Sequence, residues 1–598
     1  MNDFKRTRGG FAMCAQGAQS ERELGRQGQA PAISSAQSRS NLVHDGRPSF
    51  STFFSFDAIL RQLAKWRVRA MARRRDAAFY AAHVKGAPQP EEAVACEAAR
   101  YLPPRNAWRR PRAAKRCRRS AAEVAMQSIL RTVCGFRRAG RLADVPWGRE
   151  LERLVAQVNA RMSRDDFAFD APKIFLKLKG DGGNRALAAY GDIEDRLILS
   201  GLSLYLRGKF DRHLSPHCHS FREDRSRSHQ SAVAELIAYR RAHAGETLFV
   251  AECDVMKFFD AVDHREAMRA FDSFVAKCGG EIDAAARRLV EAYLASYSFE
   301  EAMRRAGDDA GLERVGRVPR GILESLHPNE DTDRLRLGLP QGGALSPLFA
   351  NIILSEADDA VVGNGLDRDL LYVHFCDDMI IVHTDRAKCE AAMRRYLEAV
   401  RRCKLPVHPA DEKGFTYGAG YYGLKTKGPF AWRVAELDDP NAAPWVSFLG
   451  YQIRFSGETR VRKETISRHL TSLRNERVRF DRLVAKVGDA AERARLLQHY
   501  REHLIAKGVG FLWAEAIRDD SLCWAAAFPN LQAKSAACRL QMRTIDAARD
   551  RLLHLSCGGK GKQPHYYGRP FSYYGYLLRM ARPGRHRVCG DLRAYGQV

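Results

Sequence analysis

Three acidic side chains stand where acids are costly. Asp254 lies within the apolar run LFVAECDV at 248–255, and Asp377 and Asp378 sit side by side inside LLYVHFCDDMIIVH at 370–383. Both runs are rich in Val, Ile, Leu, Phe and Tyr, so both read as β-strands. Carboxylates in such surroundings demand compensation, and divalent cations supply it naturally. A strand–turn–strand with Asp-Asp at its tip gathers carboxylate oxygens, and a third carboxylate from a neighbouring strand completes a cage. Two Mg²⁺ ions held that way activate a hydroxyl nucleophile and stabilise a leaving oxygen. An isolated Asp-Asp is most often a surface turn; the apolar flanks on both sides weigh against that here.

A second feature lies between the acids. In LGLPQGGALSPLFANIIL, residues 337–354, Pro340, Gly342 and Gly343 predict a tight turn that lets backbone approach a ligand. Ser346 and Pro347 then start a helix. An ordinary loop before a core helix would look similar.

Around these residues the chain alternates strands and helices from Phe167 onward, an α+β pattern. Helices are expected near 264–277, 283–296, 346–360 and 385–403. Upstream, helical text runs from Ser49 to Tyr80 and again from Ala121 to about Met162. Residues 1–50 lack periodicity and read as disordered. From Val461 to Cys557 the pattern is almost wholly helical. The 598-residue chain carries 98 Lys and Arg against 71 Asp and Glu, a formal charge of +27. The excess sits in runs such as RNAWRRPRAAKRCRRS (105–120), which points to a polyanionic partner, although a solvated basic surface is the plain alternative. Fourteen cysteines without a CxxC pair suit reduced thiols in a cytoplasmic setting. His213, His217, Cys218 and His219 are too closely spaced to face one zinc easily. Neither a signal peptide nor a membrane span is legible, so no membrane partner is expected.

In their order these segments resemble the reverse-transcriptase family. DVMKFF (254–259) is similar to its first catalytic motif and LPQGGALSP (339–347) to its template-and-nucleotide loop. FCDD (375–378) is similar to its Tyr-x-Asp-Asp box, with Phe for Tyr and Cys at the variable position. Lys413 in PADEKGF fits the lysine of the next motif, and FLGYQI (448–453) the primer-grip hairpin. KLKGDGGNR, DIEDRLI and HSFREDRS resemble the fingers of bacterial members such as group II intron proteins and retrons. The resemblance covers about 170–480. It implies a right-hand polymerase: fingers, a palm whose antiparallel sheet carries helices on one face, and a helical thumb, with N- and C-terminal extensions. The expected units are an N-terminal segment 1–50, a basic helical extension 51–165, fingers 166–247, palm 248–455, thumb 456–556 and a basic aromatic tail 557–598.

The resemblance also implies roles. Asp254 and Asp377 would ligate two Mg²⁺ ions (Mn²⁺ being the alternative), with Asp378 as a weaker ligand and the Val255 carbonyl as a further one. Lys413 would protonate the departing pyrophosphate, or be a surface lysine. Arg185, with Lys177 or Lys179, would hold the triphosphate. Gln341 and Gly342 would meet the incoming nucleotide. Phe259 would be the aromatic gate against a ribose 2′-hydroxyl; strand alternation would send Phe258 and Phe259 to opposite faces, one of them into the core. Phe448, Leu449, Gly450 and Tyr451 would form the primer grip. Cys376 would keep its strand packed. Implied partners are an RNA template (a dedicated noncoding RNA among the options), a DNA primer or product, dNTPs, and a second copy or an accessory protein. Long extensions without a recognisable nuclease resemble defence-associated bacterial reverse transcriptases; a mobile intron or retron enzyme, a catalytically silent scaffold and template-independent or protein-primed synthesis are the alternatives. The tyrosines at 566, 567, 573, 574 and 576 either stack on bases or pack on the thumb.

Overall fold

The computed structural model describes residues 48–83, 97–111, 121–178, 183–224, 226–307, 311–363, 367–409, 424–434, 442–509, 523–556 and 572–581. Lys179, Lys413, the expected disorder at 1–47, the basic run from 112 to 120 and most of the tail lie outside the described residues.

Helix α1 spans Phe56–His83, α2 Ala121–Arg138 and α3 Pro146–Met162. The helix expected from 121 to 162 is thus two helices. Gly140 takes a positive φ of 67°, and Pro146 opens α3 where its missing N–H costs nothing. An antiparallel hairpin follows, β1 Lys173–Leu178 and β2 Asn184–Ala189, and then α4 Ile193–Phe210. Asp192 caps α4 by accepting the Glu194 N–H at 3.3 Å. Leu63, Ile129, Leu151 and Val158 bury their side chains in one core with Phe54 and Leu202 of α4. Gly201 is required there, because a Cβ would stand 2.4 Å from the Phe54 ring.

Helix α5 covers His229–Ala242, opened by a Ser228–Ser231 capping box. Strand β3 is Leu248–Asp254. Next come α6 Phe258–Ala261, α7 His264–Lys277, α8 Ala284–Ala295, α9 Phe299–Arg305, α10 Arg320–Leu326 and α11 Ser346–Val362. Strands β4 Leu370–Phe375 and β5 Asp378–His383 then precede α12 Arg386–Arg402 and β6 Lys427–Trp432. The four strands form an antiparallel sheet in the order β4-β5-β3-β6.

Side chains alternate across this sheet. Ala251, Cys253, Met379 and Ile381 enter the core shared with α7, α11 and α12. Leu248, Val250, Ile380 and Val382 point the other way, into a second core with Val233 and Leu236 of α5. Helices therefore cover one face, as expected, and α5 also covers the far half of the opposite face. What remains open on that second face is the end where β3 stops and β5 begins.

A three-stranded sheet, β7 Trp445–Phe448, β8 Tyr451–Arg454 and β9 Thr459–Val461, continues the second core. Helices α13 Lys463–Val484, α14 Ala490–Val509, α15 Ala536–Ser556 and α16 Tyr573–Met580 follow. Tyr573 and Tyr576 are buried in that same core, and the Tyr573 hydroxyl lies 2.7 Å from His469 Nε2. Of the two options for the tail tyrosines, these two pack. Tyr566 and Tyr567 lie outside the described residues.

Candidate active site

Strand register brings the acids together. Asp254, the last residue of β3, is the direct cross-strand partner of Asp378, the first residue of β5. Such partners stand about 4.5–5.5 Å apart at Cα. Phe375 pairs with Asp378, so β4 and β5 are joined by the two-residue turn Cys376–Asp377. Cys376 is thus in the turn rather than in a strand. It takes φ +58°, a conformation that favours glycine. The turn sets Asp377 beside the Asp254–Asp378 pair.

The carboxyls feel one another. Asp378 is exposed at the start of β5, yet many protein atoms crowd around it. That crowding, then the charges of Asp377 and Asp254, push its carboxyl up to about 7, with Lys425 opposing. Asp377 is likewise raised, by burial first and by Asp254 next, and Arg185 pulls it back. Val255 forms an antiparallel bridge with Val407, flanked by bonds from Met256 N–H to the Pro406 carbonyl (2.7 Å) and from His408 N–H to the Asp254 carbonyl (3.2 Å). In that non-hydrogen-bonded pairing the Val255 carbonyl turns away from Val407, toward the edge where β5 and its turn lie. Among the described residues no three acidic, His or Cys side chains already converge as a metal cage; what Asp254, Asp377, Asp378 and the Val255 carbonyl offer is oxygen donors alone, which suit Mg²⁺ or Mn²⁺ rather than a soft metal.

Two basic side chains at this cluster, Lys425 and His408, escaped sequence reasoning. Lys425 Nζ lies 3.0 Å from Asp254 Oδ2, and His408 Nε2 lies 3.6 Å from the same oxygen. Burial, and then Lys425, lower the His408 pKa against the pull of Asp254. The usable signal for Lys425 is alternation in LKTKGPF: Lys427 enters the sheet to pair with buried Glu252, which places Lys425 one repeat nearer the acids.

The nucleotide-side residues meet at the β1–β2 hairpin. Lys177 and Arg185 are cross-strand partners and both exposed, so they share one face of the hairpin. Arg185 is the member of that pair whose charge bears on Asp377, opposing the rise in its pKa. The Ala188 N–H donates to the Gln341 carbonyl at 2.8 Å, fixing the hairpin to the Pro340–Gly343 turn. Gly342 takes φ +95° and Gly343 N–H bonds the Pro340 carbonyl at 2.9 Å, a type II turn with exposed Gly342 at its tip. Gln341, expected to meet the nucleotide, has a protein partner here. Its amide donates to Asp260 Oδ1 at 2.6 Å, so its side chain is already committed.

Phe258 and Phe259 also need correction. They lie in the short helix α6, not in a strand, so strand alternation does not separate them. Phe258 is buried and Phe259 half-buried, their rings meeting edge to face at 5.2 Å. The expected primer grip narrows as well. Phe448 and Tyr451 are buried in the core, with the Tyr451 hydroxyl donating to Gln230 Oε1 at 2.7 Å. Only Leu449 and Gly450, both at positive φ in the tight turn, are accessible at the tip. Around the histidines near 217, His219 spends its ring nitrogens on Ser231 (2.7 Å) and Glu235 (3.0 Å).

The family described as "Reverse transcriptase (RNA-dependent DNA polymerase)" matches residues 182–453. A Saccharomyces cerevisiae protein named for intron 1 of COX1/OXI3 is 26% identical over 193 residues, 32% of this chain and 18% of that protein. Among solved structures, apo telomerase from Candida tropicalis is 11% identical with a TM-score of 0.33, covering 70% of this chain and 66% of that one. Telomerase from Candida albicans, solved with a fragment of telomeric RNA, is 13% identical with a TM-score of 0.30, covering 68% and 63%. The chain therefore spans under a fifth of the curated relative's length. Residues 182–453, just under half of the chain, match the reverse transcriptase family, and they contain Asp254, Asp377 and Asp378 on adjoining strands.

Proposed function

We propose that this domain is an RNA-directed DNA polymerase that adds deoxynucleotides to a 3′-hydroxyl. The observation that carries the reading is the direct pairing of Asp254 with Asp378 at the open end of the palm sheet, with Asp377 in the adjoining turn. Asp254, Asp377, Asp378 and the Val255 carbonyl would hold a pair of divalent ions, which supply Lewis-acid activation of the nucleophile and charge stabilisation at the leaving oxygen. The chain's own groups do the positioning. Arg185 and Lys177 offer a fork and a point charge to the triphosphate from the hairpin. The Gly342 turn offers backbone to the incoming nucleotide, and half-buried Phe259 stands behind it as a steric limit at the sugar. The basic helix α13 is suited to track the phosphates of the product duplex.

The test is extension of a primed RNA template by the purified full chain with Mg²⁺ and dNTPs. Asp377→Ala should lower the rate by at least about a thousandfold, since metal stabilisation is worth several kcal/mol. An active Asp377→Ala protein, or a wild-type protein inert on both supplied and copurified templates, would overturn the reading. Sequencing the products after phenol extraction, with and without protease, separates templated synthesis from template-independent or protein-primed synthesis.

For biological role we favour antiphage defence with a dedicated noncoding RNA, supported by the packed N-terminal helical layer ahead of the polymerase motifs. A retroelement role is the second reading, favoured by similarity to the intron 1 protein. Sequencing RNA and DNA that copurify from cells decides: an intron or retron RNA would displace the defence reading.

A further inference from the structure

Behind the turn that presents Asp377 lies a buried polar group. Tyr372, His374 and Asp358 are each about 1% exposed. The Tyr372 hydroxyl donates to Asp358 Oδ1 at 2.7 Å. His374 Nε2 lies 3.0 Å from Asp358 Oδ1 and 3.2 Å from Oδ2. Its other nitrogen, Nδ1, lies 3.2 Å from the Cys376 carbonyl. Both ring nitrogens thus face acceptors. The doubly protonated ring donates to both sides, and Asp358 first, then Cys218, raise the His374 pKa against the penalty of burial.

The acceptor on the turn side matters. The Cys376 carbonyl belongs to the residue held at φ +58°, and the next residue is Asp377. A non-glycine residue keeps that conformation only where its surroundings enforce it. Asp358 lies near the C-terminal end of α11, whose N-terminus follows the Pro340–Gly343 turn. The backbone of His374 is itself clamped, its N–H bonding the His217 carbonyl at 3.1 Å and its carbonyl accepting the His219 N–H at 3.0 Å.

We infer that His374, anchored by Asp358, is a positioning residue that pins the Cys376 carbonyl and so fixes where the Asp377 carboxylate stands in the metal site. His374 touches neither metal nor substrate; it acts through the turn. The inference rests on the polymerase reading for its kinetic consequences but not for its metal-binding ones.

Two side chains divide the ring's two contacts. Asn places its amide near Nδ1 and keeps a donor for the Cys376 carbonyl while leaving Asp358 short of one. Gln places its amide near Nε2 and keeps Asp358 while releasing the turn. The experiment measures Mn²⁺ affinity of the full chain by electron paramagnetic resonance, with kcat and dNTP KM from primer extension and a thermal melt for each variant. His374→Gln should weaken Mn²⁺ and lower kcat by about tenfold or more, the usual cost of losing a partner that orients a metal ligand, with dNTP KM within about twofold. His374→Asn should hold Mn²⁺ affinity within about twofold while melting lower. In a Cys376→Gly background, where glycine adopts the turn unaided, the His374→Gln loss should shrink severalfold. Folded His374→Gln with wild-type Mn²⁺ affinity and kcat overturns the inference, as does an equal loss in the Cys376→Gly background. Should His374→Gln fail to fold, His374→Asn decides alone: tenfold weaker Mn²⁺ binding there also overturns it. A wild-type protein that binds Mn²⁺ but makes no DNA would sink the polymerase reading and leave this one standing.

Discussion

Lowering the pH from 8 to 6 should weaken divalent-metal binding about tenfold. Asp378 is pushed up to about 7, by crowding first and by Asp377 and Asp254 next. A proton and a cation compete for its oxygens. With one competing proton of that pKa, the metal's apparent dissociation constant is multiplied by about 11 at pH 6 and about 1.1 at pH 8, a ratio of about ten. The raised Asp377 steepens the dependence, and the solvent exposure of Asp378 softens it. The same protons bear on stability. Between the ordinary carboxylate pKa and about 7, the folded metal-free protein binds a proton that the unfolded chain has released, so it loses stability as pH rises through that window. A cation offsets that loss, and Mg²⁺ should therefore raise the melting temperature more at pH 8 than at pH 6. The assay is Mn²⁺ titration by electron paramagnetic resonance at pH 6, 7 and 8, with melts in parallel, on wild type and Asp378→Asn. The variant should flatten the slope. A wild-type constant that stays within about twofold across the range, or an unchanged slope in Asp378→Asn, would refute the reasoning.

Lys425→Ala removes an ammonium 3.0 Å from Asp254 Oδ2 whose own side chain is mostly exposed. Stability should shift by less than about 1 kcal/mol, while Mn²⁺ binding tightens because a competing cation has gone. Phe259→Ala should cut discrimination between dNTPs and rNTPs by about tenfold or more, read from single-nucleotide incorporation, since the half-buried ring is the only bulk removed. Tyr451→Phe deletes a buried 2.7 Å bond to Gln230 and should cost about 1–2 kcal/mol, measured by denaturant unfolding.

How much of this was legible beforehand depended on range. The acids were visible because charge interrupts apolar runs, and those runs are the strands β3, β4 and β5. Helices α7 and α12 were visible through their periodicity, and α11 through the Ser346–Pro347 start of an apolar run. The cross-strand pairing of Asp254 with Asp378 was only implied, because register depends on partners far along the chain. The commitment of Gln341 to Asp260 was hidden for the same reason, as were the burial of Tyr451 and the approach of Lys425 to Asp254. Cys376 misled for a local reason. Phe-Cys reads as strand by propensity, and only the tight turn forces its positive φ. The second cover on the sheet, α5, was likewise unreadable, since periodicity names a helix's apolar stripe but not what it lies against.

The parity of β3 constrains how this gene can change length. Even-numbered Leu248, Val250, Glu252 and Asp254 face one side, and odd-numbered Ala251, Cys253 and Val255 face the other. Inserting or deleting a single codon upstream within the strand would swap the two sets, driving an acid into oily packing and a cysteine into the cleft. Indels of one residue should therefore be confined to the connections between strands, and those inside β3 should survive selection only in twos.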